Sequence, residues 1–258
     1  MTGVQTSSDL SPLGRALLER ERALVGTAFE QVFGSYLLQI GGWGPTDAFL
    51  PMARTQRRAL VAEQDGEGDF VSHATQLAVA ANSVDALFLP HTLEFEPEPH
   101  TVLREAERVL IGEGHLIVLG FAPLGLWGLR HRLQRHSFPP GLAGMWSEGR
   151  LSDALRVLGF EVESVRRYLC VWPSQRLQST AVGAALERAG DWLGRVAGGR
   201  RAIPSAPTIL AGAYLLSARK RVYAPTRIVQ VRRRAPRFTP ALARPTASLT
   251  PSPPDSRA

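Results

Sequence analysis

The chain has 258 residues, 44% hydrophobic and 21% charged, which is ordinary for a soluble globular protein and enough to bury a sizeable core. Its net charge of +7 is uneven: nine basic residues and one acid, Asp255, lie between Lys220 and Ala258, so that stretch carries +8 and residues 1–219 carry −1. The only lysine, Lys220, sits in Arg219-Lys220-Arg221, which argues against a P-loop NTPase, a protein kinase or a Schiff-base enzyme; the only cysteine, Cys170, excludes an internal disulfide and a cysteine-based zinc cluster.

Ser11-Pro12 reads as a helix start, and Leu13, Leu17, Leu24, Val25, Phe29 and Val32 recur at helical spacing up to Gly34. Residues 1–34 are therefore expected to form a helical extension that packs on a domain spanning 35–221. Tyr36-Leu37-Leu38-Gln39-Ile40 reads as a strand running into the tight turn Gly41-Gly42-Trp43-Gly44, with a short helix after Pro45. Ala59–Ala62 and Phe70–His73 are short strand candidates. Only Gln64–Asp69 separates them, too few residues for the usual parallel crossover. Either they form a hairpin at Asp65-Gly66-Glu67-Gly68 or one of them is not a strand. In either case a helix is missing on that side of the sheet.

Val84–Leu89 reads as a buried strand. Glu98-Pro99 opens a helix with Val102, Leu103, Ala106, Val109 and Leu110 on one face, closed by Gly112 and Gly114, and His115–Leu119 is the clearest buried strand. An aromatic, glycine- and proline-rich segment follows, with Trp127, Phe138 and Trp146 beside Arg130, Arg132 and Arg135; it suits a substrate wall or an irregular loop. Ser147–Leu158 is a helix capped by Ser147 and closed by Gly159. Phe160–Val171 is a strand, Thr180–Val196 a helix and Ile209–Ala218 the last strand. Residues 222–258 lose all periodicity and read as a disordered Pro/Arg-rich tail. Arg227, Arg232, Arg233, Arg234 and Arg237 suit weak binding of polyanions. Alternating strands and helices imply an α/β fold, whose ligands bind beyond the carboxyl ends of the strands. No segment is long enough to span a membrane, no export signal precedes the first helix, and a cytoplasmic setting is expected. The six histidines form no His-Glu-x-x-His zinc motif, so no metal is expected.

Asn82-Ser83-Val84-Asp85-Ala86, then His91-Thr92-Leu93-Glu94, then Leu103-Arg104-Glu105 and Arg108-Val109-Leu110-Ile111-Gly112-Glu113-Gly114 stand in order over about 35 residues. This run resembles the fourth-to-fifth-strand half of class I S-adenosylmethionine-dependent methyltransferases of the type 11 group. The resemblance implies a Rossmann-like sheet flanked by helices with an antiparallel last strand, and S-adenosylmethionine as cofactor. It implies a methyl acceptor that is a small molecule of unspecified kind. It places Gly41, Gly42 and Gly44 in the cofactor turn, although the family's acid before that turn is here Gln39 and its later glycine positions fall on Trp43 and Pro45. It assigns Glu63 to the ribose hydroxyls, His73 and Ala74 to the adenine edge, and His91 to the acceptor as general base. The alternative is a methyltransferase-fold scaffold that has lost the cofactor.

Overall fold

The two strongest apolar runs in the chain become adjacent central strands. The structure, a computed structural model, describes residues 12–123, 125, 128, 141–168 and 212–222. Strands β1 (Tyr36–Ile40), β2 (Arg57–Ala62), β3 (Phe70–Val71), β4 (Val84–Pro90), β5 (Leu110–Phe121), β6 (Phe160–Tyr168) and β7 (Ala213–Lys220) form one sheet in the order β3-β2-β1-β4-β5-β7-β6. β1 to β5 are parallel, and β7 runs antiparallel to both β5 and β6. The order reverses between β1 and β4, which opens a crevice at their carboxyl ends. β4 and β5 are buried on both faces, as the unbroken apolar sequence requires.

Helices α1 (Pro12–Phe29), α2 (Thr92–Phe95), α3 (Pro99–Val109) and α4 (Glu148–Val157) flank the sheet. One core cluster lies on the α1 side, where Leu17, Val25 and Phe29 pack with Leu37, Phe88 and Phe121. The other joins Val102, Leu103 and Val109 of α3 and Leu151 and Leu155 of α4 to Leu87, Leu116 and Leu216. The helical segment expected as an extension is thus part of the unit that runs to Val222. Ser147 caps α4 by accepting a hydrogen bond from Arg150 N, and Gly159 closes it with φ +85°.

Four expectations change. α3 is not closed by Gly112 and Gly114; it ends at Val109 and β5 begins at once, with those glycines in an irregularity where the β4–β5 register shifts between Val84 and Ala86. The segment after Pro45 forms only a 3₁₀ turn, Leu50–Met52, held by Arg58 Nη1 at 3.2 Å from the carbonyls of Leu50, Pro51 and Ala53. β2 and β3 are both strands and pair in parallel, Val61 with Phe70 and Ala62 with Val71, not as a hairpin. The connection suffices because β3 is two residues long, so the chain needs to return only a short distance. It does so along β2 itself: Asp69 N donates to Leu60 O at 2.8 Å, and Leu60 N donates to Asp69 Oδ2 at 2.7 Å. A Cβ on Gly68 would lie 2.6 Å from Leu60 O, so this return needs glycine. The helix expected to be missing there is indeed absent among the described residues. Finally, among the described residues the last strand runs Ala213–Lys220, two residues beyond the expected end at Ala218, and the expected start at Ile209 lies outside them. The Thr180–Val196 helix, Trp127, Phe138, Arg130, Arg132, Arg135 and the tail after Val222 also lie outside them.

Candidate cofactor cleft and buried acid hub

At the carboxyl ends of the first four strands lies a shallow cleft. Ile40, Gly41 and Gly42 line it after β1, Val61, Ala62, Glu63 and Glu67 after β2, Ser72 and Ala74 after β3, and Pro90, Thr92, Phe95 and Glu96 after β4. The β1 turn begins with Gly41 at φ +85°, a conformation that favours glycine, and a Cβ there would meet Thr92 Oγ1 at 3.2 Å. Thr92 in turn donates to Ile40 O at 2.5 Å, locking the ends of β1 and β4 together. Gly41 N donates to Val61 O at 3.0 Å.

Trp43 decides what the broken glycine spacing means. Its indole is buried on the α1 side, 4.6 Å from the His91 ring and 6.0 Å from Phe121, with Nε1 donating to Glu21 at 2.6 Å. The bulky residue therefore turns away from the cleft, and the out-of-phase Gly42 lines it. Gly44 does not reach the cleft: a Cβ there would lie 3.0 Å from Leu18 of α1, so this glycine serves helix packing.

Glu63 and Ala74 both line the cleft. His73 is not a lining residue. Its side chain is 75% exposed, with Nδ1 3.8 Å from Glu63 Oε1. Glu96, which the sequence did not single out, faces Glu63; burial, then the like charge of Glu63, raise its pKa above the usual carboxylate range. Among the lining residues the charged groups are Glu63, Glu67 and Glu96, so the cleft is anionic. Gln39, at the family's acid position, is buried; its Nε2 donates to Gly41 O at 3.2 Å and steadies the turn, while Oε1 has no partner among the described residues.

His91 ends β4 and is fully buried with φ +55°. Phe121 stacks on its ring at 4.1 Å and 20°. Its Nε2 lies 2.8 Å from Glu21 Oε1. That carboxylate, also fully buried, accepts from Tyr168 Oη at 2.9 Å as well. Burial first, then the charge of Glu21, hold the Tyr168 phenol well above its ordinary pKa, so it stays a donor. Glu21 was not foreseen. Its one signal is spacing: Leu17, Glu21 and Val25 fall four apart, which puts an acid in the middle of the apolar stripe of α1.

Glu94, one turn on in α2, accepts from Phe121 N at 2.8 Å through Oε1. Burial raises its pKa from 4.5 to about 7, against the opposing influence of His91 and of the Phe121 N–H. Gly120 must lack a side chain here, since a Cβ would lie 2.9 Å from Glu94 Oε1 and 2.5 Å from the Tyr214 ring. Glu105 and Arg108 of the recognised run are scaffold. Glu105 Oε1 accepts from Leu77 N at 2.7 Å, and Arg108 Nη2 donates to the carbonyls of Leu77 and Val79, pinning the β3–β4 connection to α3.

Residues 38–118 match the family model described as a methyltransferase domain. The family match is confined to that segment, and the chain as a whole has the Rossmann-like methyltransferase fold. Among curated proteins, this methyltransferase-fold chain is 32% identical over 157 residues to the uncharacterized protein YafS of Escherichia coli K12; the match covers 60% of this chain and spans 64% of YafS. Among solved structures, a S-adenosylmethionine-dependent methyltransferase of Thermotoga maritima aligns with a TM-score of 0.52 at 19% identity, over 81% of this chain and 98% of that one. One from Archaeoglobus fulgidus aligns at 0.52 and 16%, over 80% and 94%. A geranyl diphosphate methyltransferase in complex with S-adenosylmethionine aligns at 0.53 and 15%, over 81% and 89%. These likenesses establish the methyltransferase fold. No helix among the described residues is long and apolar enough to cross a membrane, and no cluster of three or more metal-ligating side chains occurs among them.

Proposed function

We propose that this protein transfers a methyl group from S-adenosylmethionine to a small-molecule acceptor. The observation that carries the reading is the cleft at the switch point of the sheet, lined by Gly41 and Gly42, with the Trp43 indole turned away into the α1 core. The residues fit the cofactor in three respects. The Gly41-Gly42 backbone permits close approach, the Glu63 carboxylate can accept from two hydroxyls, and Val61, Ala62 and Ala74 offer an apolar seat for a planar base. The anionic lining suits a ligand bearing a positive charge. His73 lies beside Glu63 and would steady that carboxylate rather than meet the base.

Bound S-adenosylmethionine supplies a methyl group already activated on a sulfonium. The chain's task is then to orient and desolvate the partners, which by itself accounts for much of the rate in such reactions. His91, the general base that the family resemblance implies, is not among the cleft-lining residues; its ring is fully buried between Trp43 and Phe121. A single cysteine, Cys170, suits a cytoplasmic setting. The scaffold alternative draws no support from the comparisons.

Calorimetric titration with S-adenosylmethionine and with its demethylated product tests the proposal. Micromolar binding is expected, and Gly41→Leu should abolish it, because the new side chain meets Thr92 in a backbone conformation that disfavours it. No heat with either ligand on folded protein refutes the proposal.

A further inference from the structure

The cleft carries charge of one sign. Glu63, Glu67 and Glu96 line it, and among the described residues no arginine or lysine does. Glu63 and Glu96 share a hydrogen bond, so two carboxyl groups meet in one small space. Burial, then the like charge of Glu63, raise the Glu96 pKa, as crowding of such neighbours requires. His73 eases the repulsion, but its side chain is 75% exposed and Nδ1 stands 3.8 Å from Glu63 Oε1. Glu96 is held in place through its backbone. Its N donates to Thr92 O at 3.2 Å, and Thr92 Oγ1 donates to Ile40 O at 2.5 Å, which ties α2 to the end of β1. Phe95, beside it, also lines the cleft, with the Trp43 indole 6.4 Å away. Ala143 N and Gly144 N donate to Glu94 O at 2.8 and 3.1 Å and pin the same turn from outside. An aromatic ring next to a crowded carboxyl pair is a setting that favours a cation.

We infer that Glu96 is a specificity-determining residue, which makes this cleft hold S-adenosylmethionine more tightly than its demethylated product. The inference rests on the methyl-transfer proposal above. The two ligands share the adenine, the ribose and the amino-acid end. Contacts to those parts, including any made by residues outside the described ones, therefore cancel in the comparison. The ligands differ in a methyl group and in the positive charge of the sulfonium. A single methylene carbon joins the sulfur to the ribose whose hydroxyls Glu63 takes, so a carboxyl that faces Glu63 comes close to that charge once the ribose is seated. When the acceptor's lone pair bonds the methyl carbon, the carbon–sulfur electron pair stays on sulfur and the positive charge leaves with the methylated acceptor. The carboxyl pair then faces a neutral thioether and regains its repulsion, which loosens the product. A unit charge at contact distance from a carboxylate is worth about fivefold in binding even in water, and more in a partly closed cleft.

The test is calorimetric titration of the full-length protein at about pH 8, where free carboxyl groups are ionised. The ligands are S-adenosylmethionine, its demethylated product and sinefungin. Sinefungin has an ammonium-bearing carbon in place of the sulfonium, so it keeps the charge without the transferable methyl. In the wild type, S-adenosylmethionine and sinefungin should each bind at least about fivefold more tightly than the product. Glu96→Gln keeps the size of the side chain and removes its charge. It should weaken both charged ligands about fivefold and leave the affinity of the neutral product nearly unchanged. Should that variant not fold, Glu96→Ala is read in the same way. Product binding equal to or tighter than that of S-adenosylmethionine in the wild type overturns the inference and leaves methyl transfer standing. An unchanged preference in the folded variant, or an equal loss for all three ligands, overturns the role of Glu96. Absence of binding by all three overturns methyl transfer and this inference with it.

Discussion

Glu94→Gln should flatten part of the pH dependence of stability. In the folded chain this carboxyl is held at about 7 by burial, against 4.5 for an ordinary glutamate. Between those values the folded state binds a proton that the unfolded chain has released. Stability therefore falls as pH rises, by about 1.4 kcal/mol per pH unit. The loss accumulates to about 3 kcal/mol by pH 8 and is absent below pH 4, where both states are protonated. Glutamine keeps an oxygen to accept from Phe121 N. Its N–H₂ falls where Oε2 has no partner, which costs about 1–3 kcal/mol independently of pH. Urea unfolding of both proteins at pH 5, 6, 7 and 8 gives the comparison. The difference, variant minus wild type, should move in the variant's favour by about 2.5 kcal/mol from pH 5 to pH 8. Parallel stability curves would refute the burial argument, because every other titrating group is common to both proteins.

Four more outcomes are expected. Trp43→Phe keeps an aromatic ring against His91 but strips Glu21 Oε2 of its donor, and should lower unfolding free energy by about 1–3 kcal/mol in urea melts. Asp85→Ala removes the acceptor that holds Ser35 N and Tyr36 N at 2.9 Å at the start of β1, with a similar loss expected in thermal melts. Glu63→Ala should weaken S-adenosylmethionine binding by calorimetry about 10- to 100-fold, the range for losing hydrogen bonds to a charged group. Deleting residues 223–258 should remove any salt-sensitive binding of nucleic acid while leaving cofactor binding intact, and binding that persists would show that the tail is not its source.

The central strands β1 and β4 and the second half of β5 were legible because they are written as apolar runs with turn residues between them. The antiparallel β7 came from the family resemblance, not from periodicity. The β2–β3 pairing was not legible, because the general demand for a long crossover assumes strands of ordinary length and β3 has two residues. The direction of Trp43 could not be read from Gly-Gly-Trp-Gly, since it depends on a carboxylate 22 residues earlier. Glu21 looked like any acid on a charged helix. What sets it apart is the company of Trp43, His91 and Tyr168, which only the folded chain assembles. Of the residues named from the resemblance, Glu63 and Ala74 line the cleft, whereas Gly44 packs on Leu18 and His73 is exposed to solvent.

The Glu21 hub also sets an order of events during synthesis. Its donors enter the chain 22, 70 and 147 residues after the carboxylate. At about 5–20 residues per second, Tyr168 emerges roughly 7–30 s after Glu21. The Glu21 carboxylate of α1 therefore gains its last donor long after the helix itself is made. Leu37, Phe88 and Phe121 are already made by then to cover Leu17, Val25 and Phe29, but a chain stalled short of Tyr168 leaves the buried Glu21 carboxylate one donor short.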